Sequence, residues 1–219
     1  MNVGFSAKLM NRVRADGWVL GPYHLLARAG RTVRSRLYGK VLGAQCFDIG
    51  AGCHIKGIRH IRFGSGISIF KNMWLEAVTQ HHGHRFNPVI EIGDGTSFSN
   101  NVHISSINRI CIGSHVLVGS NVHITDHNHG SYGELRPSLP GEFPAERLLH
   151  TDGPVLIADN VWIGDNVVII GPVHIGAGAI IGSNSVVLKD VAAATIAAGS
   201  PARALKVFDH HSGLWRRVC

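Results

Sequence analysis

The sequence predicts an all-β chain wound as a solenoid of short parallel strands, and three observations carry that prediction. The first is a period of six. From residue 157 an aliphatic side chain recurs at Ile157, Ile163, Ile169, Ile175, Ile181 and Val187, whereas a helix repeats at three or four and an ordinary strand at two. The second is composition: 27 glycines against 7% aromatic residues mark a chain that turns often and packs small side chains. The third is charge. Residues 1–45 hold eight basic side chains and one acid, Asp16, which accounts for the whole net charge of +7 and leaves the rest of the chain neutral.

The basic arm, residues 1–45, is read as partly helical. Within 25–42, Leu26, Ala29, Val33, Leu37 and Val41 recur at three or four and form one stripe of a short helix. Arg28, Arg31 and Arg34 project from the other side, Arg36 and Lys40 flank the stripe, and Gly30 and Gly39 weaken the helix. The stripe is expected to cap the end of the solenoid with the arginines in solvent. The competing expectation is a basic amphipathic helix resting on an anionic inner-membrane surface.

The body, residues 46–207, carries the repeat. Ile49, Ile55, Ile61, Ile67 and Met73 keep the interval; so do Ile92, Phe98, Ile104 and Ile110, and, after a two-residue slip, Ile112, Val118 and Ile124. Each hexad supplies one short strand, one tight corner and one aliphatic side chain aimed at the axis. Two segments break the rhythm. Residues 78–89 lack the spacing, and residues 130–154, with Pro137, Pro140, Pro144, Pro154 and four glycines, cannot continue strands. Long excursions from a regular scaffold are where a substrate wall is built. Residues 208–219 are read as a tail.

Composition excludes several classes. Hydrophobic residues at 45% support a sizeable core and exclude global disorder. No apolar run approaches the roughly 18 to 20 residues that span a bilayer, and no signal-peptide pattern opens the chain. Cys46, Cys53, Cys111 and Cys219 are scattered without a C-x-x-C pair, as expected of reduced thiols in a cytoplasmic protein. The neutral body argues against a nucleic-acid partner.

The chemistry concentrates before the second break, at Ile124-Thr-Asp-His-Asn-His129-Gly. A positioned imidazole, with a pKa near neutral, suits the work of a general base. The 15 histidines include His81, His82, His84, His103, His115 and His123. The sharpest rival on the residues alone is metal, because His123, His127 and His129 could look like a cluster.

One stretch is more specific: Pro154-Val-Leu-Ile-Ala-Asp-Asn-Val-Trp-Ile-Gly-Asp-Asn-Val, running on to Lys189-Asp190, followed by Ala198-Gly-Ser-Pro-Ala-Arg203. With the repeats, it resembles the hexapeptide-repeat family, and its tail resembles the acetyl-CoA-dependent O-acetyltransferase branch that includes maltose, galactoside and lipopolysaccharide O-acetyltransferases. The resemblance covers roughly residues 46–207. It implies a left-handed parallel β-helix with three hexads per coil, assembled as a homotrimer with the groove between neighbours. It implies acetyl transfer from acetyl-CoA to a saccharide hydroxyl by direct attack.

Residue by residue, the resemblance puts the base five places after the last inward aliphatic residue, at His129. Asn100 then helps to place the reactants, and His127 and Asp126 stand on the substrate side, Asp126 able to fix an imidazole tautomer. Acetyl-CoA contacts fall on Asn100, Asp165, Ser183, Leu188, Lys189, Arg203 and Lys206, with Trp162 beside the channel. The Asp165 N–H would meet the oxyanion, and Lys189 and Arg203 the phosphates. Leu188 stands where many relatives have Thr, which removes a side-chain hydrogen bond, and Lys206 stands where Arg is common. The γ-class carbonic anhydrases, zinc enzymes on the same fold, are the rival. They lack the Gly-Ser-Pro-Ala-Arg tail and their three-histidine spacing is not matched, so no metal is expected. Sugar N-acetylation is a further alternative, because the same base serves an amine.

Overall fold

The computed structural model describes residues 3–133 and 137–218. Strands beginning at Asp48, Ser68, Ser97, Leu117, Trp162, Ile180 and Thr195 stack into a first sheet. Those beginning at His54, Trp74, His103, His123, Val168 and Val186 form a second, and those at Ile61, Val89, Arg109, Val155 and Val173 a third. The chain visits the three in turn with parallel registers, such as Ile104 on Ile124 and Ile124 on Ile169. The expected three-sided parallel β-helix is the fold.

Why this sequence closes into coils is visible along its axis. Ile49, Ile69, Phe98, Val118, Ile163 and Ile181 stack in the first sheet, and Leu75, Ile104, Ile124, Ile169 and Val187 in the second, all fully or almost fully buried. The third sheet turns two residues inward per strand, as at Ile90 with Ile92 and Val155 with Ile157. β-branched side chains with one preferred rotamer fit such columns. Each buried aliphatic group contributes roughly 1.5–3 kcal/mol.

The register differs from the sequence reading at one place. Eight positions, not six, separate Ile55 from Phe63, as they separate Ile104 from Ile112, so the inward residues of the next coil are Ile69 and Leu75. Ile67 and Met73 are buried at the corners just before them. Both slips and both long loops leave at the same corner, between the second and third sheets. The period itself does not reveal this, because the corner residues are also aliphatic.

The corner between the first and second sheets carries a signal absent from the hydrophobic pattern. Asn72, Asn101, Asn121, Asn166 and Asn184, each three places after an inward residue of the first sheet, have φ of 57 to 61°. Asparagine tolerates this left-handed conformation. Each side-chain amide donates to the next Oδ1 in the stack, at 3.1, 2.9, 3.0 and 3.0 Å.

The N-terminal helix, α1, spans Val3–Leu42, a single 40-residue element about 60 Å long. It is longer than the short helix expected within 25–42, and it docks by the opposite face. Arg31 Nε lies 2.6 Å from Asp48 Oδ1, Ser35 Oγ donates to the same oxygen and accepts the Ile49 N–H, and Arg34 Nε donates to Ile49 O at 3.2 Å. Tyr38 and Leu42 pack on the core, and a Cβ at Gly39 would stand 3.1 Å from Ala44 O, so glycine there permits the close approach. The expected stripe is in solvent: Leu26 is 73% and Val41 67% exposed. Polar groups won the docking face because the first strand presents Asp48 and the unpaired edge of a sheet.

The far end is closed by an antiparallel hairpin, Ala202–Asp209 with Leu214–Arg217, added to the first sheet. The segment read as a tail from residue 208 therefore continues this strand and supplies its partner.

Candidate active site

The outer surface of the second sheet brings together residues from four successive coils. His54, Trp74, His103 and His123 lie in one outward row, their rings 5.8, 6.0 and 4.7 Å apart in sequence. Lys56, Glu76, Ser105 and Thr125 lie in the next. Trp74 Nε1 donates to Glu76 Oε2 at 2.8 Å, and Lys56 Nζ sits 4.5 Å from the indole ring and 3.7 Å from the same carboxylate. A cavity of about 570 Å³ runs from Trp74 and Glu76 across His103 and His123 to His127, His129 and His81 at the loop corner.

Both loops build its wall. Residues 78–89 fold a small ribbon, Gln80–His81 against His84–Arg85. Asn128–His129 pairs with Leu149–His150, so the long loop returns to its point of departure. His82 Nε2 lies 2.8 Å from Ala145 O and ties the loops together. Arg147 staples the long loop through Tyr132 Oη and the carbonyls of Leu139 and Glu142. The sequence reading passed over Arg147, Trp74 and Glu76; a lone arginine in a loop and a tryptophan in a strand carry no spacing signal.

Asp126 is 1% exposed and accepts from Ser106 Oγ at 2.5 Å and from the N–H groups of Ile107 and Asn108 at 3.0 Å. His127 Nδ1 stands 3.0 Å from Asp126 Oδ1 and 3.1 Å from Thr125 Oγ1. Burial pushes the Asp126 carboxyl up, but hydrogen bonds from His127, Ser106, Ile107 and Asn108 outweigh it and hold the group below its ordinary range. An ionised carboxylate only accepts, so Nδ1 is the donor, and in the neutral ring the lone pair of His127 lies on Nε2. Asp126 thus fixes the tautomer of His127, a ring the sequence left unassigned. His129 is exposed, its ring 5.6 Å from that of His81. The Nε2 of His81 is buried without a hydrogen-bond partner among the described residues.

Burial lowers the pKa of both His103 and His123, and in His123 the neighbouring His103 adds to it. Groups held neutral by the fold stabilise it fully above their unfolded pKa near 6.5, and that stability is lost as pH falls toward the lowered folded values. Urea unfolding is therefore expected to show lower stability at mildly acidic pH than at neutral pH. A His103→Gln, His123→Gln double variant should flatten that dependence.

The residues expected to hold acetyl-CoA lie elsewhere. Asn100, Asp165 and Ser183 occupy one column beside the asparagine ladder, their backbones linked to it through Asn121 N to Asn100 O and Asn184 N to Asp165 O. The Asp165 N–H, expected to face an oxyanion, donates to Ser183 Oγ at 3.1 Å. Trp162, 51% exposed, stands beside Leu117 on the first sheet. Leu188 and Lys189 follow the last strand of the second sheet, and Arg203 and Lys206 lie on the hairpin opposite Ala198 and Ile196. Within one chain the second sheet separates Asn100 from His129. Among the described residues no three His, Cys, Asp or Glu side chains stand together as metal ligands, and His123, His127 and His129 do not form such a group.

The family profile "Bacterial transferase hexapeptide (six repeats)" matches residues 154–189. WbbJ of Escherichia coli K12, named for lipopolysaccharide-biosynthesis O-acetyl transfer, is 33% identical over 188 residues, 86% of this chain and 92% of its own. The chain belongs to the hexapeptide-repeat acetyltransferases. The E. coli K12 galactoside O-acetyltransferase is 32% identical over 64% of this chain and 63% of its own. A hexapeptide-repeat acetyltransferase of Vibrio cholerae O1 biovar eltor, solved with acetyl coenzyme A, is 28% identical and superposes with a TM-score of 0.51 over 81% of this chain and 78% of its own. The coil of this hexapeptide-repeat acetyltransferase is the family's left-handed β-helix.

Proposed function

We propose that the chain transfers an acetyl group from acetyl-CoA to a hydroxyl of a saccharide, a precursor of lipopolysaccharide or another bacterial surface polysaccharide. The observation that carries this reading is the histidine cavity, walled by two loops on an acetyltransferase scaffold. The similarity to WbbJ over most of both chains supports the substrate class, and the acetyl-CoA complex of the Vibrio relative supports the donor.

The acceptor hydroxyl gives its proton to a neutral imidazole as its oxygen attacks the thioester carbonyl. The tetrahedral adduct collapses, the C–S bond breaks, and the CoA sulfur takes the proton back from the imidazolium. No acyl-enzyme is needed. His129 is the base by its place in the motif. The carboxylate-held His127 favours a second reading, in which His127 removes the proton and His129 contacts the acceptor. Glu76 and the orphan Nε2 of His81 suit sugar hydroxyls, which satisfy an acceptor and a buried unpaired nitrogen together. CoA release from acetyl-CoA, followed across a panel of saccharides, tests the reading; no release with any of them overturns it.

The cofactor set is split from the histidine cavity within one chain, which supports a homotrimer with sites between neighbours. Lys189 and Arg203 are the proposed phosphate partners. Lys189→Ala and Arg203→Ala should each weaken CoA binding by several-fold to roughly ten-fold, as expected for exposed charge-assisted contacts. Added salt should weaken the wild-type complex. Calorimetric dissociation constants that match wild type in both variants would remove the assignment.

The reaction is proposed in the cytoplasm, with α1 in peripheral contact with the inner membrane. No described helix is long and apolar enough to cross a membrane, and the stripe of Leu26, Val33, Leu37 and Val41 is exposed beside Arg36 and Lys40. The full chain should sediment with anionic vesicles at low salt and a chain lacking residues 1–40 should not; equal recovery in the supernatant would leave α1 as a cap.

A further inference from the structure

A second concavity lies at the opposite end of the coil from the CoA-binding tail. Where α1 crosses the first coils, a cleft of about 650 Å³ is lined by Arg28, Arg31, Arg34 and Lys71, with Tyr23, His24 and the backbone of Gly50 and Ala51. Four cations share it with one acid, Asp48.

The cations are not equivalent. Arg31 is clamped: its Nε pairs with Asp48, and its guanidinium carbon stands 5.3 Å from the Phe70 ring. Arg34 is half-buried, and its Nε donates to a neutral carbonyl, Ile49 O, with no carboxylate partner among the described residues. Arg28 and Lys71 are exposed at the rim and form no ion pair among the described residues. A half-buried guanidinium without a counter-ion is electrostatically incomplete, and its free N–H groups form a preorganised fork. Concave positive surfaces focus that field on an anion.

We propose that this cleft is a second binding site, for a ligand carrying a phosphate or diphosphate group. Arg34 and Lys71 hold the oxyanion, Arg28 screens it at the rim, and Asp48 fixes Arg31 and leaves a net positive site. The acetyl-transfer cavity and the CoA tail supply none of these residues, so the proposal stands whether or not the proposed reaction does. The phosphate has two sources to separate: a soluble ligand or a lipid headgroup.

The full chain would be titrated calorimetrically with inorganic pyrophosphate, and sedimented with phosphatidylcholine vesicles made with and without phosphatidic acid. Saturable binding of pyrophosphate, of the phosphatidic acid vesicles, or of both is expected, and which arm responds identifies the source. Arg34→Gln and Lys71→Ala should each weaken it roughly ten-fold or more. Arg59→Gln, which removes an equal charge at an exposed position outside both the cleft and α1, should not. Thermal melts report folding, and Lys71→Ala carries the test should Arg34→Gln fail to fold. Absence of both kinds of binding, or equal loss in Arg59→Gln, overturns the site.

Discussion

His129→Ala is expected to lower turnover by about 10²–10⁴-fold, the contribution of a single general base, with the CoA dissociation constant unchanged. The side chain is exposed and makes no hydrogen bond within the described residues, so the loss cannot be charged to folding. Asp126→Asn and His127→Ala are the informative companions. Asp126 binds the ring of His127 and the N–H groups at the corner of the preceding coil, so its replacement disturbs tautomer and corner together. If His127→Ala takes the full loss in kcat and His129→Ala only raises the acceptor KM, the two roles exchange. Steady-state CoA release at saturating acceptor, across pH, separates the outcomes, because only loss of the base removes the acidic limb of the profile.

Phe98→Ala should be the most damaging single truncation of the scaffold. Phe98 is fully buried in the first-sheet column between Ile69 and Val118, with coil above and below. The hydrogen-bonded coils on either side cannot collapse into the space, so the loss falls in the range of about 3–5 kcal/mol seen for such cavities. Urea unfolding would measure it. Leu205→Ala on the exposed hairpin, where no cavity forms, should stay within about 0.5 kcal/mol of wild type. A Phe98→Ala variant as stable as that control would mean the column is not packed as described.

The helix shows why some features needed the fold. Its stripe at Leu26, Val33, Leu37 and Val41 is real, and periodicity alone assigns such a stripe to the core. The helix turns instead on Asp48, a partner 17 residues from Arg31 whose position at a sheet edge exists only once the first coil closes. The orientation of an amphipathic helix depends on what it meets, and a sequence window does not contain that.

The period of six by itself determined the β-helix and marked where its rhythm breaks, because each coil repeats one local decision: an aliphatic residue inward, then a corner. The motif before the long loop likewise marked Asp126, His127 and His129 within four residues. Only the tertiary structure decided that Asp126 holds His127, that Trp74, Glu76 and His81 face the same cavity, and that Asn100 and His129 stand on opposite edges of one sheet. The cavity joins Trp74, Glu76 and His81 to His103 and His123 of other coils, stacked about 4.8 Å apart in space but 20 or more positions apart in sequence along each register. Hydrophobic spacing fixes the direction in which each side chain points; which polar groups then meet depends on loop lengths at one corner, and those follow no period.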